Sequence, residues 1–201
     1  MKHIALLLAI IIFALSAVSC GDLTYYKDAQ WDCPQEEFYD RYHEPVEAKI
    51  MQVIEASGVE VKHFVEAVDD DAFRFVFQND TFVCLIYFYC EELWGHCNVN
   101  MYFYGEDEGQ LRDYDAQKKY LDLVNEVTHL IAYKIDPELN MYENAYNSCI
   151  ENNVNTFEKE IHYDAMTGVS KYGVVIDSDK YAEHGRNNYY YFEGLLRGDL
   201  A

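Results

Sequence analysis

Apolar positions change their spacing several times along the chain, and each change marks a new element. After Pro34, apolar residues recur at helical spacing and stop at Gly58, which predicts a helix; they are Phe38, Tyr42, Val46, Ile50, Val53 and Ile54. Pro45 lies inside this segment. A proline removes a backbone hydrogen bond, so we expect it to kink the helix or divide it in two.

Alternating apolar and polar positions follow, and they predict strands. Phe73, Phe75 and Phe77 alternate with polar residues, which is typical of a half-buried strand. Segment 81–89 is apolar on both faces, so we expect it to lie inside a sheet. With further strands predicted at 59–68 and 97–104, this part of the chain is an antiparallel meander.

Two helices and a second group of strands complete the pattern. Helical spacing returns between Leu111 and Ile131, and Asp136-Pro137-Glu138 predicts the start of another helix. Strands are predicted at 157–163, 169–176 and 188–196. This order predicts an α+β domain in which one antiparallel sheet carries helices packed on one face.

The amino terminus has the three-part pattern of a secretory signal. Lys2 supplies a positive charge, residues 4–15 are apolar, and small residues follow. The apolar run is shorter than the roughly 20 residues of a membrane-spanning helix. We therefore expect a signal peptide at 1–19, a tether at 20–31 and a single domain at 32–201.

The segment Ala17-Val18-Ser19-Cys20 resembles the lipobox of bacterial lipoprotein precursors, although Ala17 stands where such boxes usually have leucine. The resemblance covers the signal only. It implies that Cys20 is lipidated and anchors the protein to the bacterial cell membrane or outer membrane, outside the cytoplasm. The alternative is ordinary cleavage after Ser19, which would leave a secreted or periplasmic soluble protein.

The chain is strongly acidic, with 36 Asp and Glu against 15 Lys and Arg. Lys2 is the only charged residue in the signal, so cleavage changes the formal charge from −21 to −22. A field of this sign repels nucleic acid, so we expect no nucleic-acid partner. Solubility alone is the favoured explanation of the charge, and a cationic partner is the alternative.

Six cysteines lie at positions 20, 33, 84, 90, 97 and 149. In an oxidising compartment most of them should pair. Cys90 and Cys97 flank a short loop between two neighbouring strands and are the candidate disulfide. A lipidated Cys20 would leave an odd number of thiols, whereas six unmodified cysteines allow 15 connectivities.

Candidate metal ligands and catalytic residues are few. Asp177, Asp179 and Glu183 form a weak candidate calcium site, but their spacing does not fit an EF-hand, and a solvated acidic loop is the favoured interpretation. The sequence has no nucleophile elbow, zinc-protease pair or phosphate-binding glycine loop. We therefore predict no catalytic residue and no cofactor.

Tyrosine is abundant, with 19 residues. Segments 102–104 and 189–192 place aromatic rings on both faces of their strands, so one face is core. The other face either binds a protein or carbohydrate or is covered by helices. The leading hypothesis is an exported, lipid-anchored envelope protein with a binding or accessory role. The alternatives are a secreted hydrolase with a site of distant Asp, Glu and His residues, and an acidic inhibitor of a cationic partner.

Overall fold

Seven strands form one antiparallel sheet in the computed structural model, which describes residues 35–69, 71–91, 96–105, 114–164, 168–176 and 189–200. The strands are β1 (Lys62–Asp69), β2 (Ala72–Gln78), β3 (Phe82–Glu91), β4 (His96–Gly105), β5 (Thr156–Asp164), β6 (Gly168–Val175) and β7 (Tyr189–Leu195). Their order in the sheet is β1-β2-β3-β4-β7-β6-β5. Strand β3 therefore lies inside the sheet, as its apolar composition predicted.

Strand β7 joins the two halves of the sheet. It pairs with β4 of the amino-terminal meander on one side and with β6 of the carboxyl-terminal hairpin on the other. Tyr191, for example, has Tyr102 as its register partner in β4 and Gly173 in β6. The last strand thus brings residues of both halves together on one surface.

Among the described residues, three α-helices accompany the sheet: α1 (Phe38–Ser57), α2 (Tyr114–Ile131) and α3 (Met141–Asn152). Helix α1 continues through Pro45, so of the two alternatives expected for this proline, a kink or a division, the division into two helices is wrong. Its buried residues lie on both sides of the proline, and their burial offsets the missing hydrogen bond. The helix ends at Gly58 as predicted, because that residue adopts a left-handed conformation with φ of 69°.

Helix α3 begins later than its sequence signal. The Asp136 side chain accepts the backbone N–H of Glu138 at 3.0 Å and holds a turn instead of starting a helix. The N-cap is Asn140, whose side-chain oxygen accepts the backbone N–H of Glu143 at 3.2 Å. The predicted start at Asp136-Pro137-Glu138 is therefore wrong by about one helical turn.

All three helices pack against the same face of the sheet, which we call the core face. The ring centroid of Phe38 in α1 lies 5.4 Å from that of Phe73 in β2. The Thr128 hydroxyl of α2 lies 3.2 Å from the sulfur of Met101 in β4. The Tyr142 ring of α3 meets Tyr190 of β7 nearly at right angles. The predicted α+β architecture, with helices on one face of an antiparallel sheet, is confirmed.

Candidate functional site

The face of the sheet opposite the helices, which we call the open face, contains a groove of about 460 Å³. A volume of this size is within the range of small-ligand sites. The lining residues belong to five adjacent strands and combine aromatic rings with three charged side chains; they are Leu85, Tyr87, Tyr102, Tyr104, Glu158, Lys171, Val175, Tyr189, Tyr191 and Glu193. We call this site the tyrosine groove.

Four tyrosine rings form a continuous cluster in the groove. Tyr102 and Tyr104 are two residues apart on β4, so both point to the open face, and their ring centroids are 6.5 Å apart. Tyr189 of β7 lies 6.1 Å from Tyr102 and 5.7 Å from Tyr104. Tyr191 extends the cluster, with its centroid 5.9 Å from that of Tyr189. These separations are typical of interacting aromatic pairs, so each ring is held in position by contacts with its neighbours.

The floor of the groove depends on a glycine. Gly173 of β6 is the register partner of Tyr191, and a Cβ atom at position 173 would lie 2.9 Å from two atoms of the Tyr191 ring. The absence of a side chain therefore lets this ring lie across β6. From there the Tyr191 hydroxyl donates a hydrogen bond of 2.5 Å to Glu158 on β5.

One lysine stands between two carboxylates on this floor. The Lys171 ammonium lies 3.0 Å from an oxygen of Glu193 and 3.7 Å from an oxygen of Glu158. The hydrogen bond with Glu193 raises the pKa of Lys171, so the ammonium stays charged at neutral pH. The three groups form a compact charged triad with one negative charge in excess.

Two tyrosine hydroxyls donate to the same carboxylates. Tyr191 donates to Glu158, and Tyr102 lies 3.4 Å from Glu193, at the long end of hydrogen-bond distance. Burial, followed by the nearby negative charge, raises the pKa of both tyrosines. Their protons therefore remain in place and point at the carboxylates, so these two hydroxyls offer lone pairs to a ligand.

A second polar network borders the groove on β1, β2 and β3. The Arg74 guanidinium donates to Glu66 and, at 3.1 Å, to the hydroxyl of Tyr87. The hydrogen bond to Tyr87 is the first cause that raises the pKa of Arg74. Because this arginine is engaged on both sides, it holds the Tyr87 ring in a fixed position at the groove wall.

The two candidate disulfide cysteines face each other across β3 and β4. Cys90 and Cys97 are direct register partners, which confirms that they flank a hairpin loop between neighbouring strands. Both side chains are buried on the core face, and the structure holds both as thiols with no bond between their sulfurs. The disulfide itself stays a prediction. Cys84 and Cys149 are also buried thiols, and burial raises the pKa of each.

The remaining predicted site residues are Cys20, Asp177, Asp179 and Glu183, and all four lie outside the described residues. Among the residues whose positions the structure does describe, no group of three or more His, Cys, Asp or Glu side chains is arranged to hold a metal ion. Within the described ranges, no helix has the length and apolar composition needed to cross a membrane.

Sequence reasoning identified the tyrosine-rich strands but missed the charged triad. Glu158, Lys171 and Glu193 lie on three different strands and have no motif in common. The only available signal was the alternation of side chains along each strand. It places each of the three residues on the face opposite that of its core-facing neighbour in the sequence. A search of known proteins adds no relative, since no family model, curated protein or solved structure matches this chain.

Proposed function

We propose that this chain is an exported, lipid-anchored envelope protein that recognises a ligand with the tyrosine groove. The proposal for its location rests on the signal pattern at 1–19 and on the lipobox-like segment that ends at Cys20. The proposal for recognition rests on one observation: the groove places four tyrosine rings beside a charged triad on the sheet face opposite the three described helices.

The side chains of the groove are suited to binding because their positions are already set. The tyrosine rings contact one another, the Tyr191 ring lies over Gly173, and Lys171 holds the two carboxylates. A site that is ordered before the ligand arrives loses little conformational entropy on binding. Tyrosine adds a large contact area with few rotatable bonds.

The location is tested by expressing the full chain in a bacterial host with labelled palmitate. We expect a membrane-bound product that lacks residues 1–19 and carries the label. The Cys20→Ala variant should lose the label and leave the membrane fraction, because acyl chains supply the anchor. Cys33→Ala is the matched control and should keep the label. Recovery of the full-length chain with Met1 from the cytoplasm would contradict the proposal.

A further inference from the structure

We propose that the ligand of the tyrosine groove is a neutral carbohydrate, bound with the apolar face of a sugar ring on the tyrosines and its hydroxyls on Glu158 and Glu193. This inference rests on the proposed function, since it names the ligand class of the same groove. The charge of the site, the direction of its hydrogen bonds and the shape of its surface each support it.

Charge favours a neutral ligand. The chain has a formal charge of −21, and the groove has two carboxylates but one ammonium, so an anion is repelled. A cation would be attracted, but Lys171 already lies between the two carboxylates, 3.0 Å from one and 3.7 Å from the other. The position that suits a bound cation is therefore occupied by the chain's own ammonium.

Hydrogen-bond direction favours a ligand rich in donors. Tyr102 and Tyr191 donate their protons to Glu193 and Glu158, so these hydroxyls offer lone pairs to a ligand. A carboxylate accepts about four hydrogen bonds, and those from Lys171 and the tyrosines leave acceptor positions on each. Sugar hydroxyls supply such donors, and bonds from a hydroxyl to a carboxylate are among the stronger ones.

The same direction argues against a proline-rich peptide, which is the other common occupant of aromatic grooves. Such a peptide offers backbone carbonyls and few N–H groups, so it needs donors from the protein. In the tyrosine groove, the protons of Tyr102, Tyr191 and Lys171 are directed to the carboxylates. These three side chains are therefore already engaged and are less available to the peptide carbonyls.

The aromatic surface fits the remaining part of a sugar. One side of a pyranose ring presents C–H groups and is apolar, and such a surface packs well on tyrosine rings. The cluster of Tyr102, Tyr104 and Tyr189 provides this surface next to the carboxylates, so one ligand can contact both at once. A volume of about 460 Å³ is sufficient for a small ligand of this kind.

The test is a calorimetric titration of the full mature chain. The ligands are short neutral oligosaccharides of glucose, mannose, galactose, xylose and N-acetylglucosamine. We expect at least one of them to bind, and Tyr102→Ala to weaken its affinity about tenfold through the lost ring surface. Glu193→Gln keeps the shape but removes the charged acceptor, and should also weaken binding about tenfold.

Tyr89→Ala is the matched control, because Tyr89 is half-buried on the open face of β3 but does not line the groove. It should leave the affinity unchanged. Absence of binding to every oligosaccharide, or binding that survives both groove substitutions, would overturn the carbohydrate proposal. Binding of a proline-rich peptide or of spermidine that depends on Tyr102 would also overturn it, while leaving the recognition role of the groove intact.

Discussion

The ring of Tyr191 occupies the space that a side chain at position 173 would need. A methyl group there would lie 2.2 Å from the backbone oxygen of Phe157 and 2.9 Å from Cε1 and Cζ of the ring. Contacts this short force a movement of the ring or of the strands. Gly173 thus accommodates both the close approach of β5 and the Tyr191 ring, which reaches Glu158 and forms the floor of the groove.

We expect Gly173→Ala to lower the free energy of unfolding by about 1–3 kcal/mol, the usual cost of overpacking. A double-mutant cycle measured by urea denaturation separates the two contacts. In a Tyr191→Ala background the ring is gone, so the same glycine substitution should cost less. An equal cost in both backgrounds would show that the Phe157 carbonyl alone excludes the side chain.

Cys90 and Cys97 have the backbone arrangement that suits a disulfide between antiparallel strands. The backbone N–H of Cys90 donates to the carbonyl of Asp71, which directly precedes β2. The carbonyl of Cys97 accepts from the backbone N–H of Leu196, which directly follows β7. Their peptide groups therefore point away from each other, which makes them a non-hydrogen-bonded pair. The Cα atoms of such a pair are about 4.5 Å apart, inside the range that disulfides span.

We expect the exported protein to contain a Cys90–Cys97 disulfide, formed when two thiols pass two electrons and two protons to an oxidised dithiol carrier. Peptide mapping without reduction should recover the linked peptide. Closure of this short loop should raise the free energy of unfolding by about 2.5 kcal/mol relative to the reduced protein. Alkylation of both thiols in native protein, or linkage of either one to another cysteine, would contradict the prediction.

At the scale of elements, side chains of α2 form hydrogen bonds with the segment that leads into α3. His129 Nε2 donates to the carbonyl of Leu139 at 2.9 Å, and the Asn125 side chain accepts the backbone N–H of Met141 at 3.1 Å. Burial lowers the pKa of His129 below the ordinary 6.5, although the Leu139 carbonyl and nearby acidic residues act in the opposite direction. The folded protein therefore favours the neutral imidazole.

This shift predicts a loss of stability in mild acid. Below about pH 6.5 the unfolded chain binds a proton at His129 more readily than the folded chain does, so the free energy of unfolding falls until the pH passes the lower folded pKa. His129→Gln keeps a donor for Leu139 and does not titrate. Urea denaturation between pH 5 and 7.5 should show a shallower decline for this variant, and identical slopes would contradict the prediction.

Most elements were predictable because their sequences repeat a simple period. Alternation located β2 and β5, and the left-handed preference of glycine located the end of α1 at Gly58. The errors arose where local and tertiary effects compete. Burial on both sides of Pro45 outweighs its helix-breaking effect, and a side-chain bond from Asp136 holds a turn where a helix start was expected.

At the scale of the whole molecule, the groove could be predicted only in part. Runs such as Tyr189-Tyr190-Tyr191 indicated that some rings face away from the core, because neighbours in a strand point to opposite faces. The insertion of β7 between β4 and β6 was not visible in the sequence, and it is this pairing that brings Tyr102, Tyr191 and Lys171 together. Long-range strand order depends on tertiary packing and has no local sequence signal.

The net charge of the whole chain provides a further test of the ligand class. Raising the salt concentration from 0.1 M to 1 M shortens the screening length from about 10 Å to about 3 Å and weakens the attraction of this acidic protein for cations. A neutral oligosaccharide has no charge for the field to act on. Its affinity, measured by calorimetry, should therefore change less than about twofold over this range.

Lys171→Met provides the positive control for this measurement. Without the ammonium, Glu158 and Glu193 would be two unneutralised carboxylates in one groove. The variant should bind spermidine, and that affinity should fall steeply with salt because it depends on screened charges. If the unsubstituted protein already binds spermidine with this salt dependence, Lys171 does not exclude cations, and the groove selects its ligand by charge and not by hydroxyl donors.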